Sequence, residues 1–231
     1  DRAFLFEDKQ GTKARRVLAR RMQPLVLDLL SSPIDTLRAQ MQALFIDINK
    51  ASDPEEKENI RRRIRLEADE EISLDTLDIL AGSPLQEALF ATLLPFAEQR
   101  LRDGVLPEIS VATAYPGGVI IRDISSGEEK LYMETTGIPD LKGLGVQLSQ
   151  QIKSVSVPAP AKRALLQIFD AYLRPSLIPN YDVTKNRADT AEDAVAPLMH
   201  RVLRGEVIIN QGDRVTSEQQ MKMQVLLQKK S

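Results

Sequence analysis

A chain of 231 residues with 42% hydrophobic content carries enough apolar side chain for a sizeable core, in one large domain or two small ones, and this argues against disorder. Its 31 basic and 33 acidic residues nearly cancel and aromatics make up only 4%, which argues against a field that gathers nucleic acid or anionic lipid and against a base-stacking platform. There is no cysteine for disulfides, thiolate metal sites or nucleophiles, and no apolar run of the roughly 20 residues that span a bilayer.

The opening DRAFLFEDKQ has neither an initiator Met nor a signal peptide and reads as the start of an excised soluble piece or a processed product. In TKARRVLARRMQPL, Thr12 is expected to cap a helix, with Arg15 one turn in and Ala19 further along the same side. Three further helix starts follow. SSPID offers Ser32 as cap, Pro33 at the first helical position and Asp35 near the positive end; SDPEE offers Asp53, Pro54 and Glu56; GSPLQ offers Ser83, Pro84 and Gln86 as a capping box. Each start is followed by an apolar stripe: Leu37, Met41, Leu44, Phe45 and Ile48; Ile60, Ile64, Ala68 and Ile72; Leu85, Leu89, Leu93 and Phe96. Arg61, Arg62 and Arg63 suggest a nucleic-acid patch only until Glu58 and Glu67 are counted, which make an ion-paired, solvated face the better reading.

Around Val105 the texture changes. Runs at 109–113, 118–124 and 129–135, separated by YPGG and SSGE turns, predict a small antiparallel sheet. DLKGLGVQLSQQI returns to helical spacing, and a strong helix is expected from Lys162 to Arg174. Gly143 and Gly145 form a lone GxG with no strand ahead of it, a helix-entry turn rather than a nucleotide loop. TKNRADTAEDAVAPLM from Thr184 then repeats the T-K-x-R-x-x-x-A pattern of Thr12, with Arg187 and Ala191 in place of Arg15 and Ala19 and Pro-Leu following; duplication, a repeated packing solution and chance all produce such an echo. In RGEVIINQGDRVTSEQQMKMQVLL, Gly205 is expected to end the helix begun at Thr184, EVIIN to form a half-buried strand, and Gly212 to take positive φ in a turn. Thr216 with Gln219 is a capping box for a last helix.

The segment from Arg174 to Leu227 resembles the end of the extracytoplasmic domain of the seven-transmembrane HD receptors. That pattern is P-N, a T-x-x-R helix, V-x-P and G-E-V-I-x-x-G-[DE]-x-V-T-x-E-Q, matched by Pro179, Asn180, Thr184, Arg187, Ala191, Val195, Pro197, Gly205, Glu206, Ile208, Gly212, Asp213, Val215, Thr216, Glu218 and Gln219. The N-terminal helix and GGVIIRDISSGEEKLYM look like earlier parts of the same domain. The resemblance implies a membrane protein similar to the PgpH-type enzymes, with this domain outside the cytoplasm, seven membrane helices and a cytoplasmic, metal-dependent HD phosphohydrolase acting on cyclic di-AMP. It also implies partners within the same polypeptide and no cofactor, metal or catalytic residue in this piece.

The residues agree with a non-catalytic role. His200 is the only histidine, with Asp189, Glu192 and Asp193 expected upstream on its helix, and a favourable partner of the helix dipole outweighs a base or pH switch there. Asp69, Glu70 and Glu71 point different ways on a helix and read as surface rather than as a cation site. GEVIINQGD superficially resembles the hammerhead of biotinyl and lipoyl carriers, but Met221-Lys222 falls inside a predicted helix. Asn180 and Arg187 read first as hydrogen-bonding groups that fasten the Pro179 turn to the helix, and second as ligand contacts.

The expected fold is α+β and mostly α, a helical scaffold with a small antiparallel sheet and a C-terminal helix–β-turn–helix. It is expected as a single domain over 1–231, subdivided into helical 1–104, sheet plus helix 105–158 and helical 159–231. A sensory or regulatory module with a small-molecule ligand is the first functional expectation, and a structural or homodimerising module the second. Asp1 and Ser231 are expected to lie close together, near the membrane.

Overall fold

The structure is a computed structural model that describes residues 4–68, 71–81 and 83–230. β1 (Phe4–Glu7) leads into α1 (Lys9–Arg21), β2 (Leu25–Leu29) and α2 (Ser32–Lys50). Next come α3 (Pro54–Ala68), α4 (Leu74–Leu80) and α5 (Ser83–Ala88), then a π-helical turn, Leu89–Leu93, that runs straight into α6 (Leu94–Asp103). After α7 (Ile109–Thr113) follow β3 (Val119–Asp123), β4 (Glu129–Tyr132), α8 (Leu141–Ser154) and α9 (Ala159–Tyr172). The chain closes with β5 (Leu177–Pro179), α10 (Tyr181–Asp193), β6 (Met199–Val202) and α11 (Ser217–Lys230). This is the mostly helical α+β class expected. Backbone contacts divide it into two compact units: Pro24–Val183, and Asp1–Gln23 together with Thr184–Ser231. Asp1, Asp69, Glu70 and Ser231 lie outside the described residues, and the expectations placed on them with them.

The helical core of Pro24–Val183 follows from the apolar stripes. Leu37, Met41, Leu44, Phe45 and Ile48 of α2 pack with Ile60 and Ile64 of α3, Leu85 and Leu89, and Leu165 and Phe169 of α9. Ile72 joins this core from beyond the end of α3, in the connection to α4. The π turn precedes Pro95, whose ring would meet the carbonyl of Ala91 in a regular helix; Leu94 N–H bonds Leu89 O instead. Glu98 on α6 is 2% exposed, and Arg38 of α2 satisfies it with two hydrogen bonds, Nε at 2.7 Å and Nη2.

The helix starts are realised unequally. Asp53 caps α3 by accepting from Glu56 N at 2.8 Å, while Glu56 reaches back one residue past the cap to accept from Ser52 N at 2.7 Å. α2 instead begins at Ser32 with Ser31 as its cap residue, whose side chain makes no capping bond. The Ser83 side chain lies outside the described residues, and the Gln86 amide exchanges hydrogen bonds with Asn49, on another helix, at 2.7 and 3.1 Å.

The four-stranded sheet runs in the order β4-β3-β2-β5. It is mixed rather than antiparallel throughout, because β2 pairs parallel with β3 while β3–β4 and β2–β5 are antiparallel. β2 is the strand the sequence hid. Leu25, Val26 and Leu27 are all fully buried, so the strand has no alternation and reads equally well as a piece of core helix. Residues 109–113, expected as a strand, are α7; the N–H of Ile109 is met by the Asp140 carboxylate at 3.2 Å, a helix-start partner remote in sequence. At the start of β3, Gly118 has φ +81 and a Cβ there would sit 2.3 Å from Tyr132 O, so this ladder requires glycine.

The C-terminal region departs furthest from expectation. α10 stops at Asp193 rather than Gly205, since Pro197 cannot donate to a helical ladder and disfavours helical geometry at Ala196. Met199–Val202, expected inside that helix, is β6 and pairs antiparallel with β1 in the register Phe4↔Val202. EVIIN is not a strand. Residues 206–210 are irregular chain between turns at 204–205 and 211–212, with Gly205 at φ 78 and Gly212 at φ 96. The Thr216–Gln219 box is present, its two bonds 2.8 and 3.2 Å long.

The Thr12 and Thr184 echo marks a larger repeat. β1-α1-β2 and β5-α10-β6 are each strand, cap, a helix of 13 residues, Pro-Leu and strand. The caps are Asp8 and Asn180, each four residues ahead of its threonine, accepting from Gly11 N at 2.8 Å and Val183 N at 3.0 Å. Thr12 and Thr184, expected as caps, are buried one turn inside. The copies exchange strands: β1 pairs with β6 and β2 with β5, and Asp8 N and Asn180 N donate to Leu198 O and Val26 O, both at 2.8 Å.

Candidate functional site

Most residues of the closing motif hold turns and helix ends. Asn180 accepts from Val183 N and donates from Nδ2 to Asp28 Oδ2 at 2.8 Å, while Arg122 donates Nε to Asp28 Oδ1 at 2.7 Å, joining β3, β2 and the start of α10. Arg187 is half-buried on α10 and Pro197 is exposed. α1 and α10 are tied by Arg20, which pairs with Asp189 and with Glu192 at 2.9 Å. Glu206 accepts from Leu203 N at 2.8 Å and Asp213 from Asn210 Nδ2 at 3.0 Å, so these two acidic motif residues each clasp their own turn. The Leu203 N–H and then Lys222 hold Glu206 below the usual carboxylate range, and Glu206 and then Glu218 raise Lys222.

His200 is on β6, not near a helix C-terminus, and is separated from the Asp189–Asp193 face it was expected to share. Its ring lies 5.5 Å from that of Phe6, with Nε2 3.6 Å from Asp8 Oδ2 and Nδ1 3.6 Å from Glu218 Oε1. These lengths exceed a hydrogen bond. Among the described residues, no group of three His, Asp or Glu side chains stands close enough to hold a metal ion, and no single helix is long and apolar enough to cross a membrane.

The cavities of Pro24–Val183 differ in how far their polar groups are already engaged. One of about 250 Å³ at the carboxyl ends of β2 and β3 includes Arg102, which pairs with Glu98 at 3.6 Å, and Asp123, which accepts from Ser125 Oγ at 2.6 Å. Those bonds to Ser125 hold Asp123 below the ordinary range. Another, between α2 and the π turn, has its Asn49 and Gln86 amides bonded to each other.

A third cavity, of about 320 Å³, lies between the C-terminal end of α6, the β3–β4 hairpin, the 134–139 loop and α8. Ile121, Ile138 and Pro139 give it an apolar wall, and Arg100, Asp103, Tyr132, Glu134 and Gln147 line the rest. Gln147 Oε1 is buried without a hydrogen-bond partner. Arg100 lies over the Phe96 ring at 5.1 Å and its contact with Asp103 is 3.8 Å, too long for a hydrogen bond. Asp103 accepts from Gln99 Nε2 at 2.9 Å, whereas Glu134, the orphaned Gln147 Oε1 and the spare donors of Arg100 converge on one apolar-walled space, the arrangement expected of a small-molecule site.

A family model described as 7TM-HD extracellular matches residues 1–227. The chain belongs to that family. It is accordingly the part of a membrane protein that lies outside the cytoplasm. No curated protein matches it, and no solved structure does.

The family motif and the uncommitted pocket occupy different parts of this extracytoplasmic domain. Asn180, Thr184, Arg187, Pro197, Gly205, Glu206, Gly212, Asp213 and Thr216 line none of these cavities. The pocket residues were missed in the sequence because they come from four separated segments with no shared spacing. Glu134 falls within the 129–135 run read as sheet, Gln147 within the helical stretch DLKGLGVQLSQQI, and nothing in the spacing sets Arg100 or Asp103 apart.

Proposed function

We propose that this chain is the non-catalytic sensory or regulatory domain of a membrane-bound HD-type phosphodiesterase, similar to the PgpH-type enzymes, whose cytoplasmic portion hydrolyses cyclic di-AMP. Membership in the 7TM-HD extracellular family supplies the context. The observation that favours sensing over a purely mechanical role is the pocket of Arg100, Glu134 and Gln147, where Gln147 Oε1 is buried without a hydrogen-bond partner and the Arg100 guanidinium, paired only loosely with Asp103 at 3.8 Å, keeps N–H donors to spare. A ligand that binds one state of the domain better than another shifts the domain toward that state and can act across the membrane. The one histidine, His200, is followed by Arg201 rather than by an aspartate, so metal-assisted hydrolysis is assigned to the cytoplasmic part of the polypeptide.

The test is a thermal-shift screen of the chain against metabolites and cell-wall fragments, followed by cyclic di-AMP hydrolysis by the full-length protein with and without each hit. A binder raises the melting temperature and changes the hydrolysis rate. Hits that never alter hydrolysis would defeat the sensory reading. The alternative, a structural or dimerising module, is favoured by one observation: Val207, Leu227 and Leu5 of the unit built from the chain flanks are 70%, 64% and 62% exposed. Light scattering of the chain would reveal a dimer if that reading is correct.

A further inference from the structure

We infer that the pocket between α6, the β3–β4 hairpin and α8 takes the zwitterionic backbone and side chain of an apolar α-amino acid, an inference that rests on the sensory reading above. Each part of such a molecule meets a group with hydrogen-bonding capacity to spare. The Arg100 guanidinium forms no hydrogen bond among the described residues and is held in place by the Phe96 ring, so it can offer paired N–H donors to a carboxylate. Glu134 carries no ion pair or hydrogen bond among the described residues, and Gln147 Oε1 is a buried acceptor awaiting a donor; together they suit an ammonium group. Ile121 and Ile138, 8% and 7% exposed, form the wall against which an aliphatic side chain packs.

Size and charge narrow the class further. At about 320 Å³ the cavity lies at the small end of the roughly 300–1,000 Å³ spanned by ligand pockets, which suits an amino acid better than a nucleotide. A purely anionic ligand would bring its charge against Glu134 and Asp103. A purely cationic one would leave the Arg100 donors unused. The zwitterion satisfies both.

The experiment is calorimetric titration of the chain with leucine, glycine, N-acetyl-leucine, which lacks the ammonium, and leucinamide, which lacks the carboxylate. Leucine is expected to saturate one site, with each of the three analogues at least about tenfold weaker, the loss expected for one charged contact or one buried side chain. Glu134→Gln should weaken leucine about tenfold yet leave N-acetyl-leucine unchanged, and Arg100→Gln should weaken leucine yet leave leucinamide unchanged, because each variant removes only the contact its analogue already lacks. Leucine binding that ignores both variants, or that survives blocking of both charges, overturns the inference. Saturation by a sugar or nucleotide that is lost in Gln147→Leu overturns it while leaving the sensory reading standing. No saturable ligand of any class removes both.

Discussion

At Tyr172 a phenol is almost wholly buried in the helical core, with its hydroxyl 3.4 Å from Glu67 Oε2. Burial first, and then the Glu67 charge, push its pKa up from 10.0 to about 12. The sign follows from linkage: the unfolded chain loses this proton near 10 while the folded chain keeps it to about 12, so stability is intact below 10 and declines as pH rises between the two. Absorbance titration of the phenols should display a late step near 12 that Tyr172→Phe lacks, and the variant should lose less stability than the parent across that window. Coincident titration of all the tyrosines would refute the assignment. Neither partner was legible in the sequence. Tyr172 was one unremarked position in the Lys162–Arg174 helix, and Glu67 one acidic neighbour on an ion-paired, solvated face.

Among the elements, the network at Asn180 decides how α10 begins. Its side chain caps the helix through Val183 N and at the same time donates to Asp28, which already receives Arg122. Asn180→Ala should cost about 1–2 kcal/mol, the usual penalty for losing a cap. Asn180→Asp, ordinarily as good a cap, should be no better tolerated, because it replaces the donor facing Asp28 with a second carboxylate. Denaturant melts of both variants test this; an Asp variant as stable as the parent would show that the link to Asp28 contributes nothing.

Elements governed by local chemistry were the readable ones: the α2 stripe, the Asp53 cap, the Thr216 box and the β3–β4 hairpin. Those governed by distant partners were not. β6 exists because β1 pairs with it, α7 because Asp140 meets its first N–H, and β2 because it is enclosed on both faces. The Thr12 and Thr184 echo was visible as letters, but its caps lie one turn upstream, at an Asp and an Asn that no shared letter marks.

For the whole molecule, apolar burial is unevenly divided. Both hydrophobic clusters consist of residues from Pro24–Val183, whereas the buried side chains of the other unit among the described residues are Asp8, Thr12, Thr184, Ala188 and Val202. Stability that depends on apolar burial should follow the same division. Hydrogen exchange by mass spectrometry should find peptides from 4–23 and 184–230 exchanging well before those covering α2 and α9. The reverse order would mean that the polar ties at Arg20, Asp8 and Thr12 outweigh a hydrophobic core.

The exchanged strands also set the timetable on which the chain can mature. Phe4 has no ladder partner until Val202 is present, and Leu27 none on its β5 side until Pro179 is. At about 5–20 residues per second, a polypeptide delivered from its N-terminus keeps the leading edge of both ladders bare for on the order of ten seconds or more. Passage across the membrane therefore has to be nearly complete before either end is safe from proteases and from pairing with a neighbouring nascent chain.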